Sequence, residues 1–359
     1  MMKLFHWLKS FRHRAGRRGH PRRAGFGQRS WSAWRPSGIT TADVGPIVEQ
    51  LEDRTLLATF AGVGTSLNLG LETNEQLAVV SNGSTYSLSL GASGTWGGSD
   101  DANVTGTGTN VLTVTAAGIA AFTTAINVAD SGPGTTVTFN DGGAHDYQNS
   151  FLVTLDDAAA GTIAFNGYTG FTAASELRAV TTRNIVVHSG ATVTTVDGDL
   201  TLSANQQATP GNGQFVGIEL AQATLHVRGS GDLSLAGRGG NGPLEGQGGI
   251  RAFESDLLNS GTGRITLAGT GGTGSADGNY GVAVFGAEVE IDFEFDHHTS
   301  RIRCVADVGD TSNNHIVITG HGAGAGTSGR AFGVSIGGFV ETEASLTVDG
   351  TGGGRLGGL

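Results

Sequence analysis

Cysteine is almost missing from this sequence: Cys304 stands alone, so no disulfide can form within the chain and its stability must come from packing and hydrogen bonds. One thiol says nothing about redox compartment. Proline is scarce too, with 6 residues against 62 glycines and no Gly-X-Y triplet, which excludes a collagen helix and favours turn-rich β structure. Lys, Gln, Glu and Met, the strong helix formers, are few. No apolar run approaches the roughly 20 residues that a membrane-spanning helix needs. Positive charge is rare outside the N-terminus. Residues 1–40 hold Lys3, Lys9 and eight arginines with no acid, whereas 55–359 hold 10 Arg against 28 Asp or Glu. The net charge of −11 therefore joins a basic leader to an acidic body. That body repels phosphate, and Arg17–Arg23 has neither an aromatic ladder nor a basic-region helix, so nucleic acid is not an expected partner.

What is present is a two-beat repeat. The first beat is Gly-x-apolar-x-apolar: Gly161-Thr-Ile-Ala-Phe165, Gly198-Asp-Leu-Thr-Leu202, Gly231-Asp-Leu-Ser-Leu235 and Gly263-Arg-Ile-Thr-Leu267. Looser copies follow at Asn314–Ile318 and Ala344–Val348. The second beat comes 17 or 18 residues later, at Ile218, Ile250, Val282 and Val334, each after a glycine. Fixed offsets of this kind mark a stacked array. The two apolar residues of each strand lie two apart and point the same way, so Leu233 and Leu235 face inward while Ser234 faces out.

Residues 1–46 lack apolar periodicity and read as a leader without a fold. Ile47–Ala58 has helical i, i+4 spacing at Ile47 and Leu51 and is the one segment expected to be a helix of any length. From Thr59 the period becomes two. Leu77–Leu90 reads as a hairpin turning at Asn82-Gly83 through a type I′ turn. Strands are expected at 110–115, 135–140 and 151–155, with a short helical turn within 118–128. This divides the chain into a leader at 1–58, a β-rich module or cap at 59–158, and repeats at 159–359.

The step from Ile265 to Ile316 is 51 residues, and the excess falls after Val282, where a hairpin is expected at about 286–306. Glu288-Val-Glu-Ile-Asp-Phe-Glu-Phe-Asp296 alternates strictly, and so does Arg301-Ile-Arg-Cys304. With a turn at His298-Thr299, Asp296 faces Arg301 and Glu294 faces Arg303. A solvated acidic face is the plain interpretation. Glu290, Asp292, Glu294 and Asp296 are also the candidate Ca²⁺ ligands, since neighbours on one face of a strand lie roughly 6.5–7 Å apart. The same spacing suits a glycosidase carboxylate pair. His297, His298, His315 and Cys304 lack transition-metal ligand spacing. Gly269–Gly274 and Gly324–Gly329 match Gly-x-Gly-x-x-Gly, but strands follow them, so they read as corners rather than dinucleotide sites. Gly271–Asp277 approximates a single Ca²⁺-binding nonapeptide. The residues assign no catalytic group and no cofactor.

Val48-Glu-Gln-Leu-Glu-Asp-Arg-Thr-Leu-Leu-Ala58 resembles the LEPR-xLL-type N-terminal motif of planctomycetal exported surface proteins, with Asp53 at the family's proline position. The resemblance implies a sorting signal at Leu51, Glu52, Arg54, Leu56 and Leu57. Gly231–Gly240, Gly263–Gly274 and Asn279–Val284 resemble the right-handed parallel β-helix repeats of filamentous-haemagglutinin and autotransporter-like adhesins. Together these imply an all-β, extracellular or cell-surface, non-enzymatic adhesive or structural protein, with extracellular polysaccharide or other surface proteins as partners. The competing expectation is a polysaccharide-active enzyme of the pectate-lyase type, using the acidic strand 288–296 with Arg301 or Arg303.

Overall fold

A computed structural model describes residues 57–352 apart from 141–142, 144, 158–160, 245, 274–277, 287–289, 292–293, 296–299, 305–314 and 324–330. The fold is all-β, with stacked parallel sheets and one helix of six residues among the described residues. From Leu177 onward the chain visits three sheets in rotation. Leu177–Thr181 lies in the first, Asn184–Val187 in the second and Thr192–Thr195 in the third, and Leu200–Ala204 then returns to the first beside Leu177–Thr181. Each circuit makes one rung. The first and second sheets have eleven strands each and the third has six.

The rungs stack in register. Leu200, Leu233, Ile265, Ile316 and Leu346 are successive partners in the first sheet. Ile218, Ile250, Val282 and Val334 are partners in the second. The two beats of the sequence are thus two columns of one interior, and every residue of them from Leu200 to Ile316 is fully buried. Full burial of one such side chain stabilises by roughly 1.5–3 kcal/mol. Period-two alternation puts Leu233, Leu235 and Gly237 inside and Ser234, Ala236 and Arg238 outside. Tight corners join the sheets. At Gly263 an added Cβ would lie 1.9 Å from the Gly231 carbonyl oxygen, so no larger residue fits without moving the backbone.

Several expectations need correction. Gly161–Phe165 is not the first copy of the first beat: Thr162–Asn166 lies in the second sheet, where Ile163 precedes Ile185 in the column of the second beat. The third sheet was not anticipated, although Val193, Leu225 and Leu257 recur there every 32 residues. The hairpin of Gln76–Ser81 with Tyr86–Leu90 forms, but its turn centres one residue later than expected. Asn82 N–H donates to Thr85 O at 3.1 Å, and only Gly83 has positive φ (83°), which rules out type I′. The Asn82 side chain instead accepts from the Ser84 and Thr85 amides. The helical turn is confined to Ala116–Ala121, where the Thr115 hydroxyl accepts from Gly118 N; Ala125–Asp130 is a strand. Ile47–Leu56 lies outside the described residues, and Leu57–Val63 is a strand, so the expected helix does not extend to Ala58.

Ser66–Leu71 and Gln76–Ser81 pair in parallel with Ala125–Asp130 and Thr136–Asn140, and the same two sheets continue into strands of the repeat region such as Leu177–Thr181 and Thr162–Asn166. Beyond those strands antiparallel pairs enter: Leu57–Val63 runs antiparallel to Ser66–Leu71 and carries the parallel edge strand Thr95–Gly97, and Tyr86–Leu90 and Val111–Val114 extend the second sheet antiparallel. Inside this end Tyr86, Phe139, Tyr147, Phe151, Phe165 and Phe171 form one aromatic cluster with neighbouring centroids 5.1–6.2 Å apart. Beside it the Tyr86 hydroxyl donates to Asn149 Oδ1 at 2.8 Å, and Asn149 Nδ2 donates to the Ile119 and Phe122 carbonyls.

Candidate functional site

The acidic segment was the leading candidate, and the backbone does not run through it as one strand. Glu290–Ile291 pairs antiparallel with Glu294–Phe295, with Glu290 opposite Phe295 and Ile291 opposite Glu294. In this short pair acidic positions therefore stand across from apolar ones. Asp292 and Asp296 lie outside the described residues, as do His297 and His298.

Arg301–Cys304 does not pair with the acidic segment. It is a strand of the third sheet, parallel to Asp256–Asn259 on one side and Phe339–Thr342 on the other. Arg301 is held by Asp256, Nε to Oδ1 at 2.9 Å and Nη2 to Oδ2 at 2.6 Å, and this bidentate contact raises its pKa further. Arg303 pairs with Glu341 at 3.1 Å. The expected pairs with Asp296 and Glu294 are thus replaced by rung-to-rung ion pairs. A hairpin was the shortest connection the sequence allowed; the third sheet offered Arg301 a parallel neighbour 45 residues away instead.

Cys304 is fully buried beneath this strand and its thiol donates to Gly263 O at 3.3 Å. Burial pushes it up to about 11, which keeps it protonated and unreactive at neutral pH. His315 is on the surface, its Nδ1 2.6 Å from the Ser345 hydroxyl. After Ile265–Thr270 the next element among the described residues is the strand Val282–Phe285, whereas Gly324–Gly329 lies outside the described residues. Among the described residues no group of three His, Cys, Asp or Glu is placed to hold a metal ion. A depression of about 500 Å³ between Phe60, Gly98 and Phe122 contains one carboxylate, Asp101, which is already engaged by the Asn103 and Val104 amides.

The structure does organise polar side chains, in ladders along the stack. In the first sheet Thr201, Ser234 and Thr266 are successive outward partners, half-buried and flanked by Ser203, Ala236 and Ala268. Neighbouring rungs lie about 4.8 Å apart, so these short side chains make a flat strip. In the second sheet Asn166 Nδ2 donates to Asn140 Oδ1 at 3.1 Å, Thr162 bonds Asn184 at 3.0 Å, and Arg251 pairs with Glu219. At the corner before the first sheet, Asp199 Oδ1 accepts from Asp232 N at 2.8 Å and Asp232 Oδ1 from Arg264 N at 2.9 Å. The recurring Gly-Asp-Leu was legible as a beat. That its aspartate ties each corner to the next was missed, and the repetition of the acid itself was the available signal.

No family model, curated protein or solved structure matches this chain. What the surface can do must be argued from its own chemistry. Most polar groups on these ladders are committed to the neighbouring rung, and the strips between them display hydroxyl, amide and methyl groups at the stacking period. Such a surface presents many weak hydrogen-bonding groups in a row. The described residues include no helix long and apolar enough to cross a membrane.

Proposed function

We propose that this chain is an exported structural or adhesive cell-surface protein built as a right-handed parallel β-helix, capped at its N-terminal end and preceded by a basic leader with a sorting motif. The observation that supports it is a pair of in-register outward runs, Thr201–Ser234–Thr266 in the first sheet and Thr136–Thr162–Asn184 in the second. Each contact to a sugar hydroxyl or a peptide group contributes about 0.5–1.5 kcal/mol. Useful binding then comes from many rungs acting on one long ligand at high effective concentration.

The test is retention of the full chain on a panel of immobilised neutral and acidic polysaccharides, with and without Ca²⁺. Retention should weaken in a Thr201→Arg, Ser234→Arg, Thr266→Arg variant whose circular dichroism is unchanged. Cleavage of any polysaccharide that disappears in Asp292→Ala or Glu294→Ala would replace this reading with the lyase one.

A further inference from the structure

Asparagine is followed by glycine at Asn82, Asn166, Asn212 and Asn241. Glycine has no side chain to shield its amide nitrogen, so that nitrogen can reach the carboxamide of the preceding asparagine. The fold treats these steps differently. Asn166 Nδ2 donates to Asn140 Oδ1 at 3.1 Å. Asn241 Nδ2 donates to Pro210 O at 3.5 Å, its Oδ1 accepts from the Thr273 hydroxyl at 2.9 Å, and the Gly242 amide donates to Gln247 Oε1 at 2.7 Å. Those contacts tie down the nitrogen that would leave or the nitrogen that would attack. Asn212 is exposed and lies outside any strand.

At Asn82 the contacts run the other way. The residue is exposed in the turn that joins Gln76–Ser81 to Tyr86–Leu90, where water reaches it. Its Oδ1 accepts from the Ser84 amide at 2.9 Å and from the Thr85 amide at 2.7 Å. Two fixed donors on one carboxamide oxygen polarise Cγ and stabilise the negative charge that an attack there develops. The Gly83 amide donates to Ser81 Oγ at 3.2 Å, which places a proton acceptor on the attacking nitrogen. An imidazole stands against the same glycine: a Cβ added to Gly83 would lie 3.1 Å from His145 Nδ1. Electrophile, nucleophile and base therefore meet in one turn, which the pairing of Ser81 with Tyr86 holds in place.

We propose that Asn82 is a self-modifying residue, whose carboxamide the folded turn converts to a carboxylate with water as the only co-reactant. Gly83 N forms a bond to Asn82 Cγ as the Cγ–Nδ2 bond breaks. The proton from Gly83 N passes by way of Ser81 Oγ and the His145 imidazole to Nδ2, which leaves as ammonia. Water then opens the five-membered imide. Addition at Cγ restores the main chain and gives aspartate, whereas addition at the main-chain carbonyl gives isoaspartate. The turn favours aspartate, because the Ser84 and Thr85 amides hold an ionised oxygen more strongly than a neutral one.

The full chain, held at mildly alkaline pH and followed by peptide mapping with mass spectrometry, should show amide-to-acid conversion at Asn82 ahead of Asn212, with Asn166 and Asn241 slowest. Unfolding in guanidinium should erase that ranking and lower the share of aspartate over isoaspartate at position 82. Ser81→Ala combined with His145→Gln should leave the circular dichroism unchanged and slow the conversion at Asn82 at least about tenfold. The comparison of Asn82 with Asn212 is made inside one molecule and needs no variant. The proposal is overturned by an Asn82 no faster than Asn212, by a ranking that survives unfolding, or by a rate at Asn82 indifferent to the double substitution.

Discussion

Leu233 and Leu346 occupy the same column of the first sheet, three rung contacts apart, and truncating each to alanine isolates what stacking contributes. Leu233 is fully buried between Leu200 and Ile265. Its loss removes the transfer free energy of the deleted carbons and leaves a cavity that rigid neighbouring rungs cannot fill. The expected cost is about 2–5 kcal/mol. Leu346 has a neighbour on one side only and is 47% exposed, so about half of its transfer term is already lost and no closed cavity forms. Leu346→Ala should cost about 1 kcal/mol. Guanidinium unfolding followed by far-ultraviolet circular dichroism measures both. Stack energetics add from rung to neighbour, so Leu233→Ala may be read from the main transition, with any separate early phase assigned to the terminal rungs. Equal costs at the two positions would refute the column argument, because composition and local sequence are nearly the same and only the covering rung differs.

Thr169 and Thr195 are fully buried with hydroxyls that lack a hydrogen-bond partner, so Thr169→Val and Thr195→Val should leave the melting temperature unchanged or raise it; a loss above about 1 kcal/mol would reveal a hidden partner. Asn205 sits at φ 59° and serves Arg238 O, Gly239 O, Gly211 N and Gln207 Nε2, so Asn205→Ala should cost about 2–4 kcal/mol in the same unfolding assay. Arg301→Ala, by contrast, removes an ion pair whose arginine side chain is 57% exposed, and should change stability by no more than about 1 kcal/mol. Glu75 is buried and desolvation raises its carboxyl above the ordinary 4.5, so it favours the folded chain while protonated. That contribution is complete below the unfolded value and is lost as pH rises through the raised folded value; melting temperatures across this window should fall with pH, and Glu75→Gln should flatten the fall.

Much of the rung was legible because burial writes itself into sequence. Leu200, Leu233, Ile265 and Ile316 must be apolar if they stack, and their glycine prefix must be small where Gly263 meets the Gly231 carbonyl. The acidic segment was harder. Alternation over Glu288–Asp296 is compatible with one long strand or with a strand folded back on itself, and period alone does not choose between them. Arg301 and Arg303 misled for a related reason: a nearby carboxylate in sequence competes with Asp256 and Glu341, which only the parallel stack brings within 3.1 Å.

Composition and spacing by themselves determined that this chain is β-rich, that it stacks, and which residues of the two beats face inward, since side-chain alternation is a local property of an extended backbone. Only the tertiary structure decided that there are three sheets rather than two, that Ile163 belongs with Ile185, and which acids hold Arg301 and Arg303. The reason is that strand neighbours are chosen by closure of the whole circuit around a shared interior, a constraint spread over the roughly thirty residues of a rung and visible in no single segment.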